Sequence, residues 1–365
     1  MTRKARAATC IALALGILAV AAGPAAAAGR QQLYTSTNAA AGNAVLAFQR
    51  AGDGSLRPAG SFATGADGTG TGLGSQGAIA SSRGGRFLYV VNAGSDSIST
   101  FAVGPHRLDL VGSIASRGDQ PISLTAHGNL LYVLNAASGA IAGFTGARDG
   151  SLAPLSGSKR PIAGANPAEI RFSPDGEVLV VTNKDSNTID TFAIGGDGRP
   201  GPAQSHPSVG QEPFGFGFDK RGHLIASEAS GGTPDASAVS SYDVGSSGAL
   251  DVISPSVADQ QTAACWIAIS PNGRVVYTSN TGSGSISSYS LGRDGSLQLL
   301  EQVATSTGAG SAPADLAGSR SGRFLFALLP GTDSVASYRV GGGGSLQPVD
   351  QVGGIPGSAT GLAAH

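Results

Sequence analysis

The sequence predicts an all-β chain, a seven-bladed β-propeller of four-stranded antiparallel blades closed by its C-terminal strand, on three observations. A turn signature, Asp-Gly-Ser-Leu, begins at Asp53, Asp149 and Asp294, with the variant Asp-Gly-Arg-Pro at Asp197. The intervals are two, one and two units of about 48 residues, a blade's length, and decayed copies at 104–110, 246–252 and 342–348 fill the gaps to make seven. An apolar run ending in Asn recurs at Asn38, Asn92, Asn135, Asn183 and Asn280, with Glu228 and Pro330 at the two places that depart from it. Finally, the first copy starts directly at QQLYTSTN without an inner strand, and the last is followed by GSATGLAAH, which reads as an inner strand and nothing more. Sharing one blade between the two ends hides both sheet edges, as a closed ring requires.

From the N-terminus, MTRKAR is a basic region, IALALGILAV an apolar one, and the alanines before Ala28 offer a cleavage site. Residues 1–28 therefore read as a signal peptide, and 29–365 as one propeller domain that is secreted. The apolar stretch is shorter than the ~20 residues that a permanent span needs, so no membrane span is expected in the mature protein. Cys10 precedes that stretch and does not suit lipid attachment. Cys265 is left as a single thiol with no disulfide partner; it reads as a small buried hydrophobe.

Within each unit the order is inner strand, turn, apolar strand, alternating strand, Asp-Gly turn and outer strand. GRFLYVVNAGSDSISTFAV (85–103) shows the middle pair: aromatic and β-branched residues flank turn chemistry. No stretch sustains a 3.6-residue apolar period, so almost no helix is expected. GTGTGLG (68–74) has no helix after it to hold a phosphate and reads as a flexible connection between blades.

Charged residues are 13% of the chain and the formal net charge is −1, which gives no basic face for nucleic acid or anionic lipid. The five histidines, at 106, 127, 206, 223 and 365, lie in different repeats without metal-ligand spacing and read as solvated turn residues. The Asp-Gly pairs read as hairpin turns rather than calcium loops. No Gly-x-Ser-x-Gly elbow occurs. No metal and no cofactor is expected.

SPDGEVLVVTN, GRFLYVVN…DSISTFAV and DGSL resemble the seven-bladed propeller lactonase family, which includes propeller-type 6-phosphogluconolactonase and carboxymuconate cyclase and shares its blade pattern with YVTN-type propellers. The resemblance implies a His, an Arg, an acid and a second Arg where the inner strands of four successive blades begin. Aligned on the turn after each inner strand, those positions hold Ala168, Phe214, Trp266 and Ala314. A shift of one residue brings Glu169 and Asp315 to two of the openings, three repeats apart. They are the catalytic candidates, with solvated rim charges as the alternative reading. Ser123, Phe214, Trp266 and Arg171 are the ligand-binding candidates at the channel. Glu228 joins them because it replaces the recurring Asn and precedes a longer loop, 229–238. Two functions stay open: a secreted lactonase-type hydrolase or isomerase of a small lactone, or a non-catalytic, monomeric propeller that binds a small molecule or an extracellular protein partner.

Overall fold

The computed structural model describes residues 31–365, so the predicted signal peptide lies outside the described residues. Seven antiparallel sheets follow one another along the chain. Blade 1 runs, from the axis outward, through Thr360–Ala364, Gln32–Ser36, Ala44–Arg50 and Leu56–Ala63. Its innermost strand is therefore the furthest along the chain, paired Leu33↔Ala364, Tyr34↔Ala363, Thr35↔Leu362 and Ser36↔Thr360. The innermost strands of blades 2 to 7 are Ile79–Ser81, Pro121–His127, Pro167–Phe172, Pro213–Phe218, Ala264–Ile269 and Asp315–Gly318. In blade 3 the outer strand is broken into Leu152–Pro154 and Arg160–Pro161. Among the described residues the helical elements are three short 3₁₀ turns, at Ser230–Gly232, Pro330–Thr332 and Gly342–Gly344, and no helix is long and apolar enough to cross a membrane.

The core is divided among the blade interfaces. Between blades 4 and 5, for example, Val178, Val180 and Ile189 meet Phe216, Leu224 and Tyr242; between blades 7 and 1, Phe324, Phe326 and Val335 meet Leu33, Phe48 and Leu362. This division explains the repetition. In the Asp-Gly-Ser-Leu turn at 149, Asp149 Oδ1 accepts from Ser151 N (3.0 Å) and Ser151 Oγ (2.7 Å). Gly150 has φ +93° and lies so close to blade 2 that a Cβ would stand 2.4 Å from the Phe87 ring. Glycine meets both demands, so the signature is a fitting between blades. The recurring Asn is likewise structural: Asn92 Nδ2 donates to Ser97 and Ser99, and Asn280 Nδ2 to Ser285 and Ser287, pinning the next turn.

Candidate functional site

The inner strands of blades 3, 4 and 6 begin with a bulge, and the pairings Ser123↔Leu134, Glu169↔Thr182, Trp266↔Ser279 and Asp315↔Leu328 put these four residues at one level around the axis. In blade 5 the register breaks between Pro213 and Phe216, and Gly215 takes that level. Phe214 sits on the bulge, nearer the face where the inner strands begin, called here the upper face.

Three of the level residues stitch one blade to the next. Ser123 Oγ accepts the N–H of Ile170 (3.1 Å), Glu169 Oε2 that of Phe216 (2.7 Å), and Asp315 Oδ2 that of Leu362 (2.8 Å). Glu169 Oε1 also takes Arg171 Nε (2.8 Å) and Nη2 (2.5 Å), while Asp315 Oδ1 accepts from Leu316 N (2.7 Å) and Gln76 Nε2 (3.0 Å). Glu169 and Asp315 are 0% and 1% exposed. The reading of solvated rim charges is therefore corrected: both carboxylates are drawn inward because each satisfies a backbone donor of the adjacent blade, which would otherwise be buried unpaired. Burial raises both. It pushes Asp315 up to about 7, with Leu316 N–H opposing and the Glu169 charge adding to the rise; Glu169 is also raised by burial, against the pull of Arg171.

Gln76, which sequence reasoning passed over, closes the axis. It leaves the glycine-rich connector and reaches blade 6, where Nε2 donates to Ile267 O (3.0 Å) and Oε1 accepts from Ile267 N (3.2 Å), as a paired strand would. The connector is tethered on the way. Asn38 Nδ2 donates to Thr69 Oγ1 (2.8 Å) and Thr71 O (2.6 Å), and Lys184 Nζ donates to Gly74 O (2.9 Å). The flexible connection predicted for 68–74 is thus held in place, and it seats a plug. Gly215 makes room, since a Cβ there would lie 2.4 Å from Gln76 Oε1 and 2.6 Å from Cys265 O. Gly215→Ala is accordingly expected to displace Gln76 and cost about 1–3 kcal/mol, the usual penalty for overpacking. A thermal melt and a crystal structure check this; an unchanged melting point with Gln76 in place would refute it.

Above the plug, Phe214 and Trp266 meet edge to face with ring centroids 4.8 Å apart, and the Lys184 ammonium stands 4.6 Å from the Phe214 centroid. The two aromatics do come together, but Trp266 is buried in the interface of blades 6 and 7 with Tyr277, Leu325 and Tyr338. Burial pushes the Cys265 thiol up to about 12, which suits a packed hydrophobe. Glu228 does not line the channel. It accepts from Ser240 Oγ and from Ser256 Oγ (2.7 Å), a turn-pinning role like that of the Asn it replaces.

Below the plug, a funnel of about 600 Å³ opens at the face where the inner strands end. Its wall includes Glu169, Arg171, Asp315, Ser81 and Arg320, with Gln76 at its floor. At the rim, Ser81 Oγ is 3.0 Å from His365 Nε2, and Arg320 Nη2 is 3.2 Å from His365 Nδ1. A guanidinium only donates, so Nδ1 is the acceptor and Nε2 carries the proton. The serine oxygen therefore receives a hydrogen bond, the reverse of what would activate it as a nucleophile. Turn placement also fails for His127, which packs on Phe172 at 5.6 Å between ring centroids, and for His206, which reaches Thr191 and Gly248 O of the neighbouring blade. These rings lie at strand ends, where they fill blade interfaces. Among the described residues no three His, Cys, Asp or Glu side chains converge as a metal site would need.

The family model described as "Lactonase, 7-bladed beta-propeller" matches residues 30–160, 151–232 and 227–360. No curated protein matches the chain. Among solved structures, the periplasmic gluconolactonase of Pseudomonas aeruginosa is similar, with 19% identity, a TM-score of 0.70 and cover of 92% of this chain and 98% of that one. A protein from Lactobacillus plantarum has 16% identity, a TM-score of 0.74 and cover of 92% and 99%. A candidate 6-phosphogluconolactonase from Bacteroides fragilis has 19% identity, a TM-score of 0.68 and cover of 93% and 99%. At these identities the likeness is one of fold.

Proposed function

The chain belongs to the seven-bladed β-propeller lactonase family, and we propose that it is an exported, monomeric binding propeller that holds a small polar molecule in the funnel without turning it over. The observation that carries this reading is the commitment of both channel carboxylates. Every oxygen of Glu169 and Asp315 already accepts from Arg171 or from an N–H donor of Phe216, Leu316, Leu362 or Gln76. A general base must reach the proton it removes, and these would have to abandon a blade contact to do so. The funnel has the volume of a small-molecule site, and its Arg171 side chain is 39% exposed to the cavity and solvent.

Lactone hydrolysis is the second reading. It is favoured by the position of Asp315 in the funnel wall with a carboxyl pushed up to about 7, a range suited to acid–base work at neutral pH. Because similar structures are named for gluconolactones, the test pairs calorimetry on gluconate with pH-stat assays on gluconolactone and 6-phosphogluconolactone. The expected result is ligand-dependent heat with no hydrolysis above the buffer rate. Turnover abolished by Asp315→Asn or Glu169→Gln would replace the binding reading with the hydrolytic one. The mass of the exported protein tests cleavage near Ala28.

A further inference from the structure

We propose that the funnel is built for a small dianion, held at its two ends by Arg171 and Arg320 on opposite sides of the axis. This rests on the funnel being the binding site. Both guanidinium side chains line the cavity, one from the inner strand of blade 4 and the other from the turn after the inner strand of blade 7, three blades around the ring. The four charged groups in the wall are Glu169, Arg171, Asp315 and Arg320, two of each sign, but they are not equally available. The carboxylates are buried and spent on Arg171 and backbone or amide donors. The cationic heads face the open space.

Arg171 uses Nε and Nη2 on Glu169, and its Nη1 makes no hydrogen bond among the described residues. The Glu169 clamp fixes the plane of the guanidinium, which reduces the entropy lost when a ligand pairs with it. Arg320 uses Nη2 on His365 Nδ1, and the other nitrogen of the same ring reaches the Ser81 hydroxyl at the rim. That hydroxyl accepts from His365 Nε2 and so has its own proton to give. Each end of the site can therefore donate to an oxyanion, and guanidinium forks suit carboxylate geometry. A neutral sugar would leave the guanidinium N–H groups that face the cavity without an anionic partner, and a monoanion would engage those of one end only.

The test is calorimetric titration of the full exported protein at pH 7.5 and low salt with the linear dicarboxylates from malonate to adipate, beside acetate, gluconate and glucose. The expected result is that one chain length in the series binds at least tenfold more tightly than acetate or glucose. Arg320→Gln, at an exposed position that should not disturb folding, is expected to weaken that dicarboxylate tenfold or more. Arg171→Gln combined with Glu169→Gln, which avoids leaving a bare buried carboxylate, is expected to do the same. Gluconate or glucose binding as tightly as every dicarboxylate would overturn the dianion proposal while leaving the funnel reading intact. No binding by any member of the panel would overturn both. Binding indifferent to Arg320→Gln would overturn the two-ended site.

Discussion

A chain truncated after Pro356 is expected not to fold into a stable ring. The segment removed, 357–365, contains Thr360–Ala364, the innermost strand of blade 1, which pairs with Gln32–Ser36. Its loss exposes the ladder of that strand and removes the buried Leu362 from the cluster that seals blade 7 against blade 1. It also takes away the Leu362 N–H that Asp315 Oδ2 accepts, leaving a carboxylate at 1% exposure with one oxygen unsatisfied. A buried leucine contributes about 2 kcal/mol and a stranded buried acceptor costs about 1–3 kcal/mol. With the lost backbone pairing, the sum is on the order of 5 kcal/mol or more, comparable to the net stability of an ordinary domain. Soluble yield and the circular-dichroism melt measure it. A truncated protein melting cooperatively within a few degrees of the full chain would show that the ring does not depend on this closure.

The second large effect is an inverted pH dependence: stability should fall as the pH rises from about 4 to about 7. Burial pushes Asp315 up to about 7 and Asp259 up to about 6, against roughly 3.9 for an unfolded aspartate. In that window the folded protein holds protons that the unfolded chain releases, so each step up in pH favours unfolding. The contribution is fully present below about pH 4 and lost once the folded-state values are passed. Glu169 and Glu228, also raised by burial, act in the same direction. The charges facing Asp315 across the channel are Glu169, which reinforces the rise, and Arg171, which opposes it. A tenfold change in a carboxylate's proton affinity on folding is worth ~1.4 kcal/mol, so a total of a few kcal/mol is expected and the melting point at pH 5 should exceed that at pH 8 by several degrees. Asp315→Asn should flatten the slope. A melting point that rises steadily from pH 5 to pH 8 would contradict the assignment.

Blade number, strand order and closure could be read from the sequence because a propeller repeats its contacts. The Asp-Gly turn and the recurring Asn serve the same neighbours in several blades, and the same residues reappear at a fixed interval. The site could be read only in part. Glu169 and Asp315 stand out in the sequence, yet their partners Phe216 and Leu362 lie 47 residues further along, and no local pattern says that a carboxylate reaches into the next blade. The set Ala168, Phe214, Trp266 and Ala314 mixes two adjacent levels, because Trp266 is equivalent to Glu169, Gly215 and Asp315, whereas Phe214 stands one residue before that level. Gln76 is hidden inside a run of glycines, but a signal is present. Blades 3, 4 and 5 begin their inner strands with Pro121, Pro167 and Pro213, and by the register of the following strand Gln76 stands in the place of that proline. A polar side chain where the repeat has a rigid, donor-free residue marks the blade that does something different.

The shared blade also bears on how the molecule comes to exist. Thr35 and Leu362 are partners, so the contact that completes the ring joins opposite ends of a chain whose other sheets form between near neighbours. Such a contact carries the largest loop-closure cost in the molecule and forms last. Until the final strand is available, six blades can assemble but blade 1 lacks its inner edge. The ring therefore cannot lock until Thr360–Ala364 is free to pair with Gln32–Ser36.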